Sequence, residues 1–255
     1  MNASTALITG SATGIGAACA VEFARQGWAV VVCHLDDATR ADAHSVAASC
    51  QASGAGALVQ ALDVTRDADC RRVAAAALER FGRIDALINS AGTTRFIAHD
   101  DLEALDAAEF ERIYAVNVVG AHQMVRACAA ALATVQGCVV NISSVGGVLG
   151  RGSSVAYAAS KGALNTMTLA LARALAPAVR VNAIAPGFVV GGLPSRVLDA
   201  STHERVMIDQ TQRAPLRRVS QPAEVAVLAW FLAASAPGIT GAVIVMDNGL
   251  HLNAG

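Results

Sequence analysis

The 255 residues suffice for one domain with a sizeable core, and 54% of them are apolar. A net charge of −1 leaves no electrostatic case for nucleic acid or an anionic membrane surface, and 4% aromatic content argues against an aromatic-lined binding module. The six scattered cysteines (Cys19, Cys33, Cys50, Cys70, Cys128 and Cys138) form no CxxC pair, so we expect buried thiols in a reducing compartment, without disulfides or a metal site.

Short apolar runs alternate with helical stretches along the chain. Strands are expected at Thr5–Thr9, Ala29–Cys33, Ala57–Leu62, Ala86–Asn89, Val139–Ser143, Val179–Ile184 and Ala242–Met246. Helices are expected near Ile15–Gln26, Ala38–Ala52, Asp67–Phe81, Ala107–Ala133, Val155–Leu175 and Ala223–Ala233. The strands are apolar throughout, which implies a sheet covered on both faces. The repeated β-α-β order then gives a single α/β domain over residues 1–255, a doubly wound Rossmann-type sheet of seven parallel strands. Residues Phe188 to Arg218 fall outside the rhythm and read as a loop, a lid or binding segment over the substrate.

No signal peptide is expected ahead of the first strand. Two uncharged stretches, Ala127 to Gly150 and Val225 to Met246, have the length of a membrane span. Gln136-Gly137 with Ser143 to Gly147 breaks the first, and Pro237-Gly238 breaks the second, each into helix, turn and strand. The protein is therefore expected to be soluble and cytoplasmic, with no membrane partner.

The first strand runs into Thr9-Gly10-Ser11-Ala12-Thr13-Gly14-Ile15-Gly16, ahead of a helix. Glycines there allow a sharp turn and the approach of a pyrophosphate to main-chain N–H groups at the helix N-terminus. Asp63-Val64 follows the third strand; Asp63 either accepts from an adenine amino group or caps the helix beginning at Thr65, and spacing leaves both open. Asn89-Ser90-Ala91-Gly92 closes the fourth strand with small residues that let a flat ring or ribose approach the backbone.

The chain has 18 arginines and one lysine, Lys161, together with two tyrosines, Tyr114 and Tyr157. Tyr157 and Lys161 are four apart and share a helix face. A cation beside a phenol favours the phenolate, so Lys161 is expected to lower the pKa of Tyr157 and make it a usable acid and base. Ser144 ends the fifth strand thirteen residues earlier and is placed to polarise a substrate oxygen. Asn117, a poor helix former inside a helix, either satisfies a local backbone group or holds a proton-relay water.

Together, Thr9-Gly10…Gly14-Ile15-Gly16, Asn89-Ser90-Ala91-Gly92, Asn117, Ser144, Tyr157-Ala158-Ala159-Ser160-Lys161 and Pro186-Gly187 resemble the short-chain dehydrogenase/reductase family, in order and from end to end. Its 3-oxoacyl-thioester reductases and small polyol or sugar dehydrogenases look closest. The resemblance implies alcohol–carbonyl interconversion with a nicotinamide dinucleotide. It also implies that Tyr157 moves the proton, Ser144 polarises the oxygen, Lys161 also holds the nicotinamide ribose, and Asn117 orders the relay water. Implied coenzyme contacts are Gly10, Thr13, Gly14, Ile15, Gly16, His34, Asp36, Asp63, Val64, Asn89, Ala91, Gly92, Tyr157, Lys161, Pro186, Gly187 and Val189. Gly191 departs from the family, which often has threonine there. A homotetramer or homodimer is implied, pairing Ala107–Ala133 and Val155–Leu175 across a two-fold axis.

Matched without gaps, His34 stands where the family's coenzyme-selecting acid stands, and Leu35 where its NADP-selecting base stands. Asp36 and Asp37 lean the reading to NAD(H), with NADP(H) through His34 or Arg40 the alternative; the two acids also suit a helix start. Substrate is expected between Thr93–Phe96, Val145–Ser153 and the 188–218 segment, where Arg95 and Arg151 either meet an anionic group or lie in solvent. Competing functions are an epimerase or dehydratase on the same scaffold, for which the chain is short, and a non-catalytic dinucleotide sensor, which would not need all four of Asn117, Ser144, Tyr157 and Lys161.

Overall fold

In the computed structural model, which describes residues 3–253, seven strands form one parallel sheet ordered β3-β2-β1-β4-β5-β6-β7. They are β1 (Thr5–Ile8), β2 (Ala29–His34), β3 (Ala57–Ala61), β4 (Ala86–Asn89), β5 (Cys138–Ile142), β6 (Arg180–Pro186) and β7 (Val243–Met246), each at its expected place. Successive side chains of a strand point to opposite faces. Ala6 and Ile8 of β1 accordingly enter one core and Leu7 the other, as do Val30 and Val32 of β2 against Val31 and Cys33. Both faces are covered along β1, β2, β4, β5 and β6, which is why these strands carry no polar alternation, while the edge strands β3 and β7 are half-buried.

One face is covered by α1 (Gly14–Arg25), α2 (Asp37–Ala52) and α10 (Pro222–Ala234). On the other lie α3 (Asp67–Phe81), α5 (Ala121–Thr134) and α7 (Val155–Leu175), with α4 (Ala107–Tyr114) against α7. Three shorter or outlying helices are α6 (Gly146–Leu149), α8 (Leu193–Val197) and α9 (Ala200–Arg213). The order reverses between β1 and β4, so the carboxyl ends of these two strands form the switch-point crevice of an open α/β sheet. No helix among the described residues is long and apolar enough to cross a membrane. All six cysteines are buried and free, and burial pushes every thiol up, Cys50, Cys70 and Cys138 to about 11, and Cys19 and Cys128 to about 12.

Two expectations change. The helix expected over Ala107–Ala133 is divided by a π-helical turn at Ala115–Gly120. Buried Asn117 is bonded there to Thr93 and Ser160, and Gly120 lies so close to Val64 that a Cβ would come within 2.6 Å of its Cγ2. The segment Phe188 to Arg218 is largely helical, comprising α8 and α9. Asp199 caps α9, accepting from the N–H of Thr202 (3.0 Å) and the hydroxyl of Ser201 (2.7 Å). No residue of α9 is fully buried, and its half-buried stripe (Thr202, His203, Val206, Met207, Gln210 and Thr211) is mostly polar, so the apolar periodicity from which a helix could be read is weak.

Candidate active site

Side chains cap α2, α4, α7 and α9, but none caps α1, whose preceding residue, Thr13, is extended. The first N–H groups of α1 therefore remain available to an anion. The glycines before it are sterically required. A Cβ on Gly16 would stand 2.4 Å from the carbonyl oxygen of Gly10, and one on Gly10 2.8 Å from Cα of Ala91. Gly10 and Gly14 also have φ of 62° and 59°, which favours glycine. The hydroxyl of Thr9 accepts from the N–H groups of Ser90 (3.0 Å) and Ala91 (2.9 Å) and joins the ends of β1 and β4. At Gly92 a side chain would fill the space before Asn117 Oδ1 (3.5 Å) and Lys161 Nζ (3.8 Å). An uncapped helix end and a floor of small residues fit a dinucleotide.

The catalytic candidates converge beside that floor. Ser154 accepts from the N–H of Tyr157 at 3.2 Å and starts α7, whose next turn carries Lys161. Ser144 stands near enough to the Tyr157 phenol to act on its ionisation, and its hydroxyl accepts from the N–H of Gly146 at 3.0 Å. Lys161 is 4% exposed; its Nζ lies 5.7 Å from the Tyr157 ring centroid and donates to the Ile142 carbonyl at 2.8 Å. Asn117 accepts from the N–H of Thr93 (2.9 Å) and donates to the Thr93 carbonyl (3.0 Å) and Ser160 hydroxyl (3.0 Å). The Ser160 hydroxyl donates to the carbonyl of Tyr157 at 2.8 Å, so Asn117 reaches the tyrosine's own turn.

The electrostatics reverse one expectation. Burial pushes the Tyr157 phenol above its ordinary value, opposed by the hydrogen bond with Ser144. Burial also brings Lys161 down to about 8. The ammonium is turned to a main-chain carbonyl and lies over the ring, so it does not supply the expected lowering of the phenol.

The remaining candidates divide. Pro186 ends β6, and its carbonyl accepts from Val145; Gly187 packs so near Asp247 that a Cβ would meet that of Asp247 at 2.9 Å. The Val189 carbonyl accepts from Gly192, and a Cβ on Gly14 would lie 3.3 Å from the carbonyl of Gly191, so this stretch reaches the glycine turn. Asp63 accepts from the N–H (2.9 Å) and hydroxyl (2.7 Å) of Thr65, and α3 begins at Asp67 instead of Thr65. The carbonyl of Val64 accepts from Gln123 at 2.8 Å. Asp36 caps α2 through Thr39, whose bonds hold its carboxyl below the usual range, and Asp37 pairs with Arg40 at 2.7 Å. Both acids therefore do begin the next helix. Arg95 and Arg151 are exposed.

The sequence reading places Thr9 and Ser160 inside its motifs without giving either a role, and it misses Arg112 altogether. Ser160 was recoverable, three residues after Tyr157 on the same helix. Arg112 bonds the hydroxyl of Thr93 (2.8 Å) and the carbonyl of Thr94 (3.3 Å), while Thr94 and Ser153 hydroxyls lie 2.6 Å apart. These contacts join two of the three expected substrate walls, and no local sequence pattern marks them.

A family model described as enoyl-(acyl carrier protein) reductase matches residues 10–251. A solved structure from Burkholderia xenovorans, described as a putative short-chain dehydrogenase/reductase, superposes with a TM-score of 0.93 at 50% identity, over 99% of both chains. The chain is a short-chain dehydrogenase/reductase. It is 39% identical to the granaticin polyketide synthase putative ketoacyl reductase 2 of Streptomyces violaceoruber, over 98% of this chain and 97% of that one. It is 33% identical to the L-fucose dehydrogenase of Bos taurus, over 98% and 90%. This dehydrogenase/reductase is an NAD(P)-dependent oxidoreductase acting on CH–OH or C=O groups of small molecules.

Proposed function

We propose that Tyr157 gives and takes the proton of the reacting oxygen, Ser144 polarises that oxygen, and Lys161 with Asn117 serves the tyrosine. The observation that carries this is the meeting of Ser144 and Tyr157 beside buried Lys161, whose Nζ lies 5.7 Å from the tyrosine ring centroid. A phenol held protonated by burial is an acid, suited to carbonyl reduction at neutral pH. In alcohol oxidation it must first lose that proton. Lys161 Nζ and the face over Gly92 would hold the nicotinamide ribose, while Gly10 to Gly16 and the N-terminus of α1 hold the pyrophosphate. Asp63, Val64, Asn89, Ala91, Pro186, Gly187 and Val189 complete the cradle. When bound, the coenzyme supplies or accepts a hydride; the protein supplies position and proton.

NAD(H) is the coenzyme we favour at neutral pH. Thr13 is uncharged, Arg40 is engaged by Asp37, and among the described residues β2 ends on His34 with no arginine or lysine there to receive a 2′-phosphate. The 188–218 segment is the lid, and the working place is the cytoplasm. Assembly is a homotetramer or homodimer: Val119 (52% exposed) and Leu169 (40%) leave apolar surface on the helices expected to pair.

Tyr157→Phe keeps the ring and removes the proton. Turnover, followed by nicotinamide absorbance against a panel of carbonyls and alcohols, should fall at least about 100-fold, with coenzyme affinity barely changed. A phenylalanine protein with near-parental turnover would show that another group moves the proton.

A further inference from the structure

We propose that Arg112 is a positioning residue for the proton transfer: it fixes Thr93, and through Thr93 the amide of Asn117. This rests on the service of Asn117 to Tyr157 proposed above. Residues 90–98, between β4 and α4, lie in neither helix nor strand, so no ladder sets where Thr93 stands. Among the described residues Thr93 bonds only to Asn117 and Arg112, both carried by the rod of α4 and its π-turn. Asn117 takes the main chain: its Oδ1 accepts from the Thr93 N–H at 2.9 Å, and its Nδ2 donates to the Thr93 carbonyl at 3.0 Å. Arg112 takes the side chain, Nη1 donating to the hydroxyl at 2.8 Å, while Nη2 reaches the carbonyl of Thr94 at 3.3 Å.

The direction of the amide follows from this grip. A main-chain N–H only donates, so Thr93 keeps Oδ1 toward itself, and both hydrogens of Nδ2 are used, one on the Thr93 carbonyl and one on the Ser160 hydroxyl. Oδ1 keeps its second lone pair and borders the space over Gly92, where a Cβ would stand 3.5 Å from it and 3.8 Å from Lys161 Nζ. A water in that space can accept from the ammonium and donate to Oδ1, the arrangement a relay needs. If Thr93 shifts, the amide loses both main-chain partners and can turn over, presenting hydrogens where the relay needs an acceptor.

Arg112 can hold Thr93 because it is itself held. Its Nε and Nη2 donate to the two carboxyl oxygens of Glu109 at 3.1 and 2.6 Å, and that side chain is 12% exposed. Asp106 in turn accepts from the Glu109 N–H at 2.8 Å at the start of α4. The planar guanidinium thus spans a carboxylate on its own helix and two oxygens of the loop, which a lysine ammonium is not shaped to do. On the far side, the Thr94 hydroxyl lies 2.6 Å from that of Ser153, next to the Ser154 cap that starts the helix of Tyr157.

The test is a double-mutant cycle on Arg112→Met and Asn117→Ala, read as kcat and KM for the fastest alcohol of the panel above, with coenzyme Kd measured by calorimetric titration. Arg112→Met should lower kcat by about 10- to 100-fold, the scale of a misplaced catalytic group, with KM and coenzyme Kd within about twofold of the parent. It should add nothing to the loss in Asn117→Ala, since both act through one amide. Deuterium uptake over residues 90–98 is a readout independent of turnover: the Thr93 N–H should lose protection in Arg112→Met. Thr93→Ser keeps the acceptor and should match the parent. Thr93→Val leaves the Arg112–Glu109 pair intact and should follow Arg112→Met, which keeps the test open if the methionine protein does not fold. Losses that add, a change confined to KM, or unaltered uptake would make Arg112 a loop staple and overturn the proposal. A slow Asn117→Ala beside a parental Arg112→Met overturns the role of Arg112 alone. A parental Asn117→Ala overturns the reading of Asn117, and this proposal with it.

Discussion

Lys161 is 4% exposed, its ammonium donates to the Ile142 carbonyl at 2.8 Å, and burial brings it from 10.5 to about 8. A base with a depressed pKa in the fold lowers stability wherever the unfolded chain keeps the proton. Below about pH 8 both states are protonated and the cost is complete; it fades between about 8 and 10.5 and is absent above. Bringing the ammonium from 10.5 to about 8 corresponds to about 3 kcal/mol. Lys161→Met keeps the apolar stem and removes the charge, but it leaves the Ile142 carbonyl without its donor, which offsets about 1–2 kcal/mol. The variant should thus be more stable near pH 7 by about 1–2 kcal/mol, or roughly 2–8 °C for a chain of this size. It should lose that advantage as the pH approaches about 10, and it should lack activity. Urea unfolding of both proteins near pH 7, 8.5 and 10 measures the difference. A methionine protein that is less stable near pH 7, or a difference without a pH slope, would refute the account of Lys161 as a strained buried cation.

Two other perturbations follow from geometry already described. Arg180 reaches the carbonyl oxygens of Leu232 (2.7 Å), Ala233 (2.8 Å), Ala236 (3.0 Å) and Ile239 (3.3 Å) and so closes the C-terminal end of α10. Arg180→Met should cost about 2–4 kcal/mol without touching the site, and an unchanged urea midpoint would contradict it. Because the phenol of Tyr157 is raised, kcat/KM for alcohol oxidation should climb with pH, while that for carbonyl reduction holds until the same ionisation and then falls. Profiles in both directions decide this; an oxidation profile flat from about pH 6 to 10 would count against Tyr157 as the base.

The strands were legible because both faces of the sheet's centre are covered, so no polar alternation blurred the apolar runs. Tyr157 and Lys161 were legible because the chain has one lysine and it stands four residues from a tyrosine. The direction of the Tyr157 shift was not, since spacing says nothing of burial or of the Ile142 carbonyl that draws the ammonium aside. Helix α9 was hidden because its half-buried face is mostly polar, with Val206 and Met207 its apolar members. Asp36 and Asp37 show the converse: both a ribose contact and a helix start fitted their sequence, and only side-chain geometry shows them occupied at α2.

The wide turn at Ala115–Gly120 has a consequence for how this site can be lost. Each residue of an α-helix advances the side chains by roughly 100°, and a π-turn inserts extra phase between the segments on either side. That offset lets α4 face α7 while α5 faces α3 and β4. The aim of Asn117 is therefore set by how many residues the turn contains as well as by the residue itself. A single deletion within it would give a more regular rod, yet one of the two walls would be left about 100° out of phase. A relative that kept every motif letter but lost one position here would keep the signature and misdirect the amide.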